Sequence, residues 1–64
     1  MHTIAPLVLA KLLNLRQSDW AAHLGVTPVW ARSLARDPRY ERRARIAVLE
    51  AALERDRCAE SLEE

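Results

Sequence analysis

The fold is decided by residues 17–36, QSDWAAHLGVTPVWARSLAR, which indicate a short helix, a tight turn and a second helix. Gly25 stands at the turn, where a left-handed backbone costs roughly 1 kcal/mol for a residue with a Cβ. Thr27 and Pro28 follow as a hydroxyl N-cap and a proline at the first helical position. Two helices joined by such a turn form a unit that can place its second helix in the major groove of DNA.

The length of 64 residues allows one small domain. A core of this size rarely contributes more than roughly 3–5 kcal/mol of net stability without a covalent or metal staple. The single cysteine, Cys58, cannot form an intramolecular disulfide, and His2 and His23 are too far apart for zinc-ligand spacing. We therefore expect no metal and no cofactor, and stability from helix packing or self-association.

The composition, rich in Ala, Leu, Arg and Glu with one Gly and three Pro, predicts an all-α protein. No apolar run approaches the roughly 18–20 residues that span a bilayer. The apolar residues 4–10 lack the basic start and the cleavage site of a signal peptide, so we interpret them as part of a core helix. A reducing, cytoplasmic location in a bacterial or phage-infected cell is expected, without a membrane partner.

The net charge of +1 hides an asymmetry. Residues 1–45 carry eight Lys or Arg against three acids, which is +5, and residues 46–64 carry two against six, which is −4. Six arginines lie between positions 32 and 45. This basic stripe is the electrostatic pattern expected of a protein that binds a polyanion, and the alternative is a solvated face without a ligand.

Four helices are predicted, and the first spans Thr3 to Leu13. Its apolar stripe is Leu9, Leu12 and Leu13 with Ile4 or Val8. Asn14 can adopt the left-handed conformation that ends a helix.

The second helix is predicted from Arg16 or Gln17 to Leu24, with Trp20, Ala21 and Leu24 on its apolar side and His23 in solvent. An arginine is unusual at the N-cap, so Arg16 faces a phosphate or the helix begins later, near Ser18.

The third helix is predicted to begin at Thr27 and Pro28 and to end at Ala35 or Arg36. Asp37 and Pro38 repeat the combination of N-cap and proline, and they are predicted to open a fourth helix that ends near Arg57. Residues 1–57 then form the domain, with the helix-turn-helix at 17–36, and residues 58–64 form an acidic, frayed tail. The fourth helix has an apolar seam that consists of Ile46, Leu49, Ala52 and Leu53, and Val48 lies close to it.

The central segment resembles the Cro/repressor (Xre-like) family of phage and bacterial regulators. The likeness covers residues 9–53 with the flanking helices, and the small size is also similar to phage Cro proteins and anti-CRISPR-associated repressors. The family usually has five helices, whereas this chain has room for four. The fifteenth position of the pattern is usually Val or Ile, and here it is Ala31. Trp30 is expected to fill the space beside this smaller side chain. With Gly25 at the ninth position of the twenty-residue pattern, the first, fifth, eighth, tenth and eighteenth positions are Gln17, Ala21, Leu24, Val26 and Leu34.

The resemblance implies a compact lambda-repressor-like domain that binds double-stranded DNA with residues 27–36 in the major groove. Arg32 would contact a guanine edge, Val29 a thymine methyl, and Ser33 a base or a phosphate. Gln17 resembles the residue that clamps a phosphate beside the recognition helix. The full set of implied base contacts is Pro28, Val29, Arg32, Ser33 and Arg36, and the implied backbone contacts are Arg16, Gln17, Thr27, Arg39, Arg42 and Arg43.

Two copies on a pseudo-palindromic operator, with half-sites about 34–36 Å apart, would supply the contacts that one short helix lacks. Leu49, Ala52 and Leu53 are the expected dimer contact, and repression of a promoter is the expected activity. The alternative is a protein-interaction module on the same fold, such as an antitoxin or a phage assembly or inhibitor factor, anchored by the two tryptophans. Because the sequence contains no recognisable nucleophile–base pair or phosphate-binding loop, we expect neither an enzyme nor a small-molecule substrate.

Overall fold

The computed structural model describes the backbone of residues 4–63 and the side chains of residues 4–58. Over this range the chain is all-α with four helices, which confirms the predicted fold class. They are α1 (Pro6–Leu12), α2 (Gln17–Leu24), α3 (Pro28–Arg36) and α4 (Glu41–Glu63). Helix α4 is the longest and packs against each of the other three. Within the described range, every helix is too short or too polar to cross a membrane.

The core consists of small side chains around one large one. Trp20 is fully buried, as predicted, and Val48 and Pro6 are the other large side chains completely removed from solvent. Leucines of α1 and α2, with Leu15 and Val26, pack around this core without being fully covered. The remaining members of the buried cluster are all alanines: Ala10, Ala21, Ala31, Ala35, Ala44 and Ala51.

The apolar stripe predicted for α1 is wrong in most of its members. Leu12 is 70% exposed, Val8 is 52% exposed and Ile4 is 47% exposed, whereas Pro6 and Ala10 are buried. Leu9 and Leu13 do pack against the core, and the predicted start at Thr3 lies outside the described residues. A small side chain at the contact lets α1 approach α4 closely, so the face centred on Ala10 is the one that is covered.

The apolar seam predicted for α4 is open to solvent, as expected for a surface outside the core. Ile46, Leu49 and Leu53 are between 46% and 62% exposed. The side chains that α4 buries lie on the opposite side of the helix and are Ala44, Ala47, Val48 and Ala51. Ala52 lies between these faces and is half-buried. Helix α4 therefore has two apolar faces, and among the described residues only the alanine face is buried.

Local signals in the sequence fix the ends of α1, α2 and α3. Gly25 has φ +74° and Asn14 has φ +58°, so both predicted left-handed turns are confirmed. The hydroxyl of Thr27 accepts a hydrogen bond from the backbone N–H of Trp30 at 3.4 Å. At the start of α2, Asp19 Oδ2 accepts from the backbone N–H of Arg16 at 2.9 Å. Arg16 is thus an N-cap without a side-chain oxygen, and its own backbone N–H is satisfied by the acid three residues later, as in a capping box.

Helix α4 begins at Glu41 and ends at Glu63, so the predicted limits of Pro38 and Arg57 are both wrong. Asp37 Oδ1 accepts from the backbone N–H of Arg39 at 2.9 Å, and the Asp37 carbonyl accepts from the N–H of Tyr40 at 3.0 Å. Asp37 therefore closes a separate turn, and the helical ladder starts from the Tyr40 carbonyl. The bond from the Arg39 N–H is also the main reason why the pKa of Asp37 lies below its ordinary value.

Two arginines of α4 attach α1 along its length. Arg45 Nε donates to the Ile4 carbonyl at 3.1 Å. Ten residues later, Arg55 donates from Nη2 to the Leu13 carbonyl at 2.7 Å and from Nη1 to the Asn14 carbonyl at 3.1 Å. Helix α1 therefore runs alongside α4 in the same direction, and Arg55 satisfies carbonyls that the end of α1 leaves without a helical partner.

His23 attaches α2 to α4, while the residue as a whole stays exposed, as predicted. Its Nε2 lies 2.8 Å from Glu54 Oε2, and its Nδ1 lies 3.5 Å from Glu50 Oε2. Its side chain is only 23% exposed. Glu50 and Glu54 are one helical turn apart, so the same face of α4 presents both carboxylates to the ring.

Arg55→Ala is expected to lower the free energy of unfolding by about 1–2 kcal/mol, because two charge-assisted hydrogen bonds to the end of α1 are lost at an exposed site. In a domain of this size that corresponds to a fall in melting temperature of roughly 4–8 °C per kcal/mol, measurable by circular dichroism. Arg57→Ala is the matched control, since it removes the same charge and leaves both bonds in place. An equal fall in the two variants would contradict this role of Arg55.

Candidate nucleic-acid interface

One side of α3 is in the core and the other is open to solvent. Ala31 and Ala35 are buried against the rest of the domain. All five residues predicted to contact bases are exposed, and Val29 is 80% exposed. Because these residues recur at spacings of three and four, they form one continuous outer face. That face, Pro28, Val29, Arg32, Ser33 and Arg36, is named the α3 face.

The start of α3 is held by contacts to the start of α2. Gln17 Nε2 donates to the Pro28 carbonyl at 3.1 Å, so the residue expected to clamp a phosphate also ties the two helix N-termini together. Its amide carries a second N–H that this bond does not use. The backbone N–H of Val26 donates to the Ala21 carbonyl at 3.3 Å and closes the turn. The α3 face therefore projects from a fixed base.

Acidic neighbours do not neutralise the α3 face. Asp37 lies 3.5 Å from the Arg39 guanidinium, and Glu41 lies 3.4 Å from that of Arg45. Both carboxylates between α3 and α4 are thus paired within their own turn or helix. Among the side chains of residues 4–58, the arginines of this region without an ion pair are Arg32, Arg36, Arg42 and Arg43.

Beside Arg32, a shallow groove separates α3 from α1. Lys11 and Gln17 line this groove together with Arg32, above the buried Trp20. Lys11 was not among the predicted contacts. Only its place in the fold, beside the α3 face, indicates it as a further cation for a polyanion, because nothing in the local sequence connects residue 11 with residue 32.

On the opposite flank, α3 and the start of α4 enclose an open groove of about 510 Å³. Trp30 and Tyr40 are its aromatic walls, 57% and 37% exposed, and Arg39 and Arg43 line it as well. The expectation that Trp30 fills the space beside Ala31 is wrong, since Ala31 is fully buried in the same cluster as Trp20. This groove, with Leu24, Val26 and Leu34 as its apolar lining, is named the Trp30 groove.

The predicted backbone contacts fall into three groups. Arg16 and Thr27 are exposed at the N-termini of α2 and α3, close to Gln17 in the chain. Arg39 and Arg43 lie at the other flank, in the Trp30 groove. Arg42 is one residue from Arg43 and therefore about 100° further round α4, away from that groove. The structure thus gathers all of them except Arg42 around α3.

Other chemistry finds no support in the described part of the chain. Within residues 4–58, no three His, Cys, Asp or Glu side chains come together as a group that could hold a metal ion. Cys58 is exposed and unpaired. The chain matches no protein-family model, no curated protein and no solved structure. The geometry of the α3 face and its two flanks is therefore what bears on function.

Proposed function

We propose that this protein is a sequence-specific DNA-binding regulator that represses a promoter as a homodimer, with α3 in the major groove of a pseudo-palindromic operator. The observation that carries the proposal is the α3 face: an uncovered helical surface with two unpaired arginines, held by buried alanines on its other side. An α-helix with its side chains fits into the major groove of B-DNA, where each base pair presents a distinct pattern of hydrogen-bonding groups.

Arg32 and Val29 are the proposed readers of sequence. An arginine guanidinium can donate two parallel hydrogen bonds to O6 and N7 of guanine, and an aliphatic side chain can contact the methyl group of thymine. Val29 lies in the first turn of α3 and Arg32 one turn later. Their separation of three residues matches about 4.5 Å of helix rise, so both reach neighbouring base pairs.

The backbone of DNA would be bound on both sides of this helix. The N-termini of α2 and α3 present the positive ends of their helix dipoles, which favour a phosphate beside Gln17 and Thr27. Arg39 and Arg43 would contact phosphates at the other flank. Such contacts fix the orientation of the protein without reading sequence.

Selection of DNA from a random duplex pool tests this function, followed by binding titrations of the enriched duplex and a scrambled one at several salt concentrations. The expected result is an enriched pair of half-sites about one helical turn apart. Its affinity falls steeply with salt, with a slope near −0.9 for each phosphate contacted. Absence of enrichment together with a flat salt dependence would overturn the proposal.

The Trp30 groove favours a second function, a protein-interaction module. Exposed aromatic side chains flanked by arginines are typical anchors of protein interfaces. Of the two tryptophans expected to anchor a partner, Trp20 is fully buried and Trp30 is exposed, and the acidic residues of the C-terminal third are a further feature of such a module. Trp30→Ala separates the functions: it leaves operator affinity within about threefold if the α3 face does the binding, and it abolishes capture of a protein partner if the groove does.

A further inference from the structure

The outer side of α4 carries an apolar seam with a charge of opposite sign at each end. Ile46, Leu49 and Leu53 are exposed, and spacings of four and three residues keep them in line. Continuing the same spacing places Arg42 before them and Asp56 after them, both exposed. These five residues, Arg42, Ile46, Leu49, Leu53 and Asp56, are named the α4 seam and span about 21 Å of helix.

Leu49 is the centre of the α4 seam. Arg42 lies seven residues before it and Asp56 seven residues after it. Seven residues are nearly two turns of helix, so the three side chains lie within a narrow stripe. Neither Arg42 nor Asp56 forms an ion pair within residues 4–58. A cation in the first turn of a helix also opposes the helix dipole, so Arg42 is a site where an added anion is favourable.

We propose that the α4 seam binds the same seam of a second copy in antiparallel orientation, with Leu49 of both copies on the two-fold axis and Arg42 of each against Asp56 of the other. The inference deepens the proposed function, because that function requires two copies. If Arg42 binds the second copy, it is not a phosphate contact. This agrees with its position on α4, about 100° round the helix from Arg43 and the Trp30 groove.

Charge selects this arrangement among the ways in which two seams can meet. A parallel pair would place Arg42 beside Arg42 and Asp56 beside Asp56, which is repulsive at both ends. An antiparallel pair shifted by one residue would bring Arg42 against Arg57. With Leu49 on the axis, both ends of the seam are attractive and the contact satisfies the symmetry of a closed dimer.

Helix α1, which runs alongside α4, also carries exposed apolar side chains. Arg45 binds the Ile4 carbonyl, so the stripe of α4 that contains Arg45 and Ala52 faces α1. Val8 and Leu12 are exposed on α1, which runs alongside. Both helices thus carry exposed apolar side chains of the kind that an interface covers.

Charge exchange tests the contact, with the molar mass measured by sedimentation equilibrium in the absence of DNA. Arg42→Asp and Asp56→Arg are each expected to raise the dimer dissociation constant at least tenfold. In either variant, residues 42 and 56 carry the same charge, so like charges face each other at both ends of the seam. The double variant carrying both substitutions is expected to return to within about threefold of the wild type, and so is an equimolar mixture of the two single variants. Leu49→Lys places two ammonium groups on the axis and is expected to be monomeric.

Circular dichroism checks that each variant keeps its helical content, since all the substituted side chains are exposed. A monomeric wild type, or single variants that dimerise as well as the wild type, would overturn the proposal, as would a double variant that does not recover. If the wild type dimerises through the seam but shows no salt-dependent DNA binding, this contact is supported and the proposed function is overturned. A wild type that is monomeric but binds its selected DNA overturns this contact and the homodimer, and keeps only sequence-specific DNA binding by the α3 face.

Discussion

Trp20→Ala is expected to leave the protein unfolded at 25 °C. The indole is fully buried and is the largest side chain in a core otherwise made mainly of alanines. Replacing a buried Trp by Ala typically costs about 3–5 kcal/mol, because apolar contact is lost and a cavity remains. A core of this size contributes only about that much in total. Alanine neighbours have no long side chains with which to refill the space.

Urea denaturation followed by circular dichroism at 222 nm measures this effect. Trp30→Ala is the matched control, since it makes the same chemical change at a side chain that is 57% exposed, and it should alter the free energy of unfolding by less than about 1 kcal/mol. Trp20→Phe should retain the fold: it loses some volume, but it also removes a buried indole N–H that has no acceptor within the described residues. A folded Trp20→Ala variant would contradict this account of the core.

Arg32→Ala is expected to relax the sequence preference at one base pair of each half-site, at a cost of about 1–3 kcal/mol in operator binding. The loss of a bidentate contact affects the preferred base pair and leaves binding to random DNA almost unchanged, apart from the loss of one charge. The measurement is a fluorescence anisotropy titration against the selected operator, its three variants at that position, and a scrambled duplex.

Arg43→Ala is the matched control for Arg32→Ala. It removes the same charged group from the flank of α3 rather than from the α3 face, so its affinity for all duplexes should fall by a similar factor and its salt slope should become shallower by about one phosphate. Equal losses on operator and scrambled DNA for both variants would contradict the division between sequence reading and backbone contact.

The helix-turn-helix could be predicted from the sequence because its signals are local. Gly25 requires a left-handed turn, and Thr27 and Pro28 together favour a helix start whatever the rest of the chain does. The residues of the α3 face were implied by the resemblance, and helical spacing explains why they share one exposed side. For these residues the local preference and the fold agree.

The apolar faces of α1 and α4 could not be predicted in the same way. Sequence reasoning places the largest side chains inside, and here Leu12 and Leu53 are outside while Ala10 and Ala51 are inside. A helix with two apolar faces has two possible orientations, and the choice depends on which partner helices are close enough. That distance is set by Trp20 and the alanines around it, which is a property of the whole core.

Side chains that act between distant positions were also beyond sequence reasoning. His23 meets Glu50 and Glu54, and Lys11 shares a groove with Arg32. Each pairing depends on how far one helix is displaced along another, and no local pattern records that displacement. The turn at Asp37 is an intermediate case: the cap was recognised, but the residue caps a turn of its own before the helix begins.

The two tryptophans differ in environment, and this makes them separate optical reporters. Trp20 is completely enclosed and Trp30 is more than half exposed. Native emission should therefore contain a blue component from the enclosed indole and a red component that a soluble quencher such as iodide reduces first. Unfolding should shift only the blue component, and a ligand in the Trp30 groove should protect only the red one. In the variant Trp30→Phe, intrinsic fluorescence would follow folding alone.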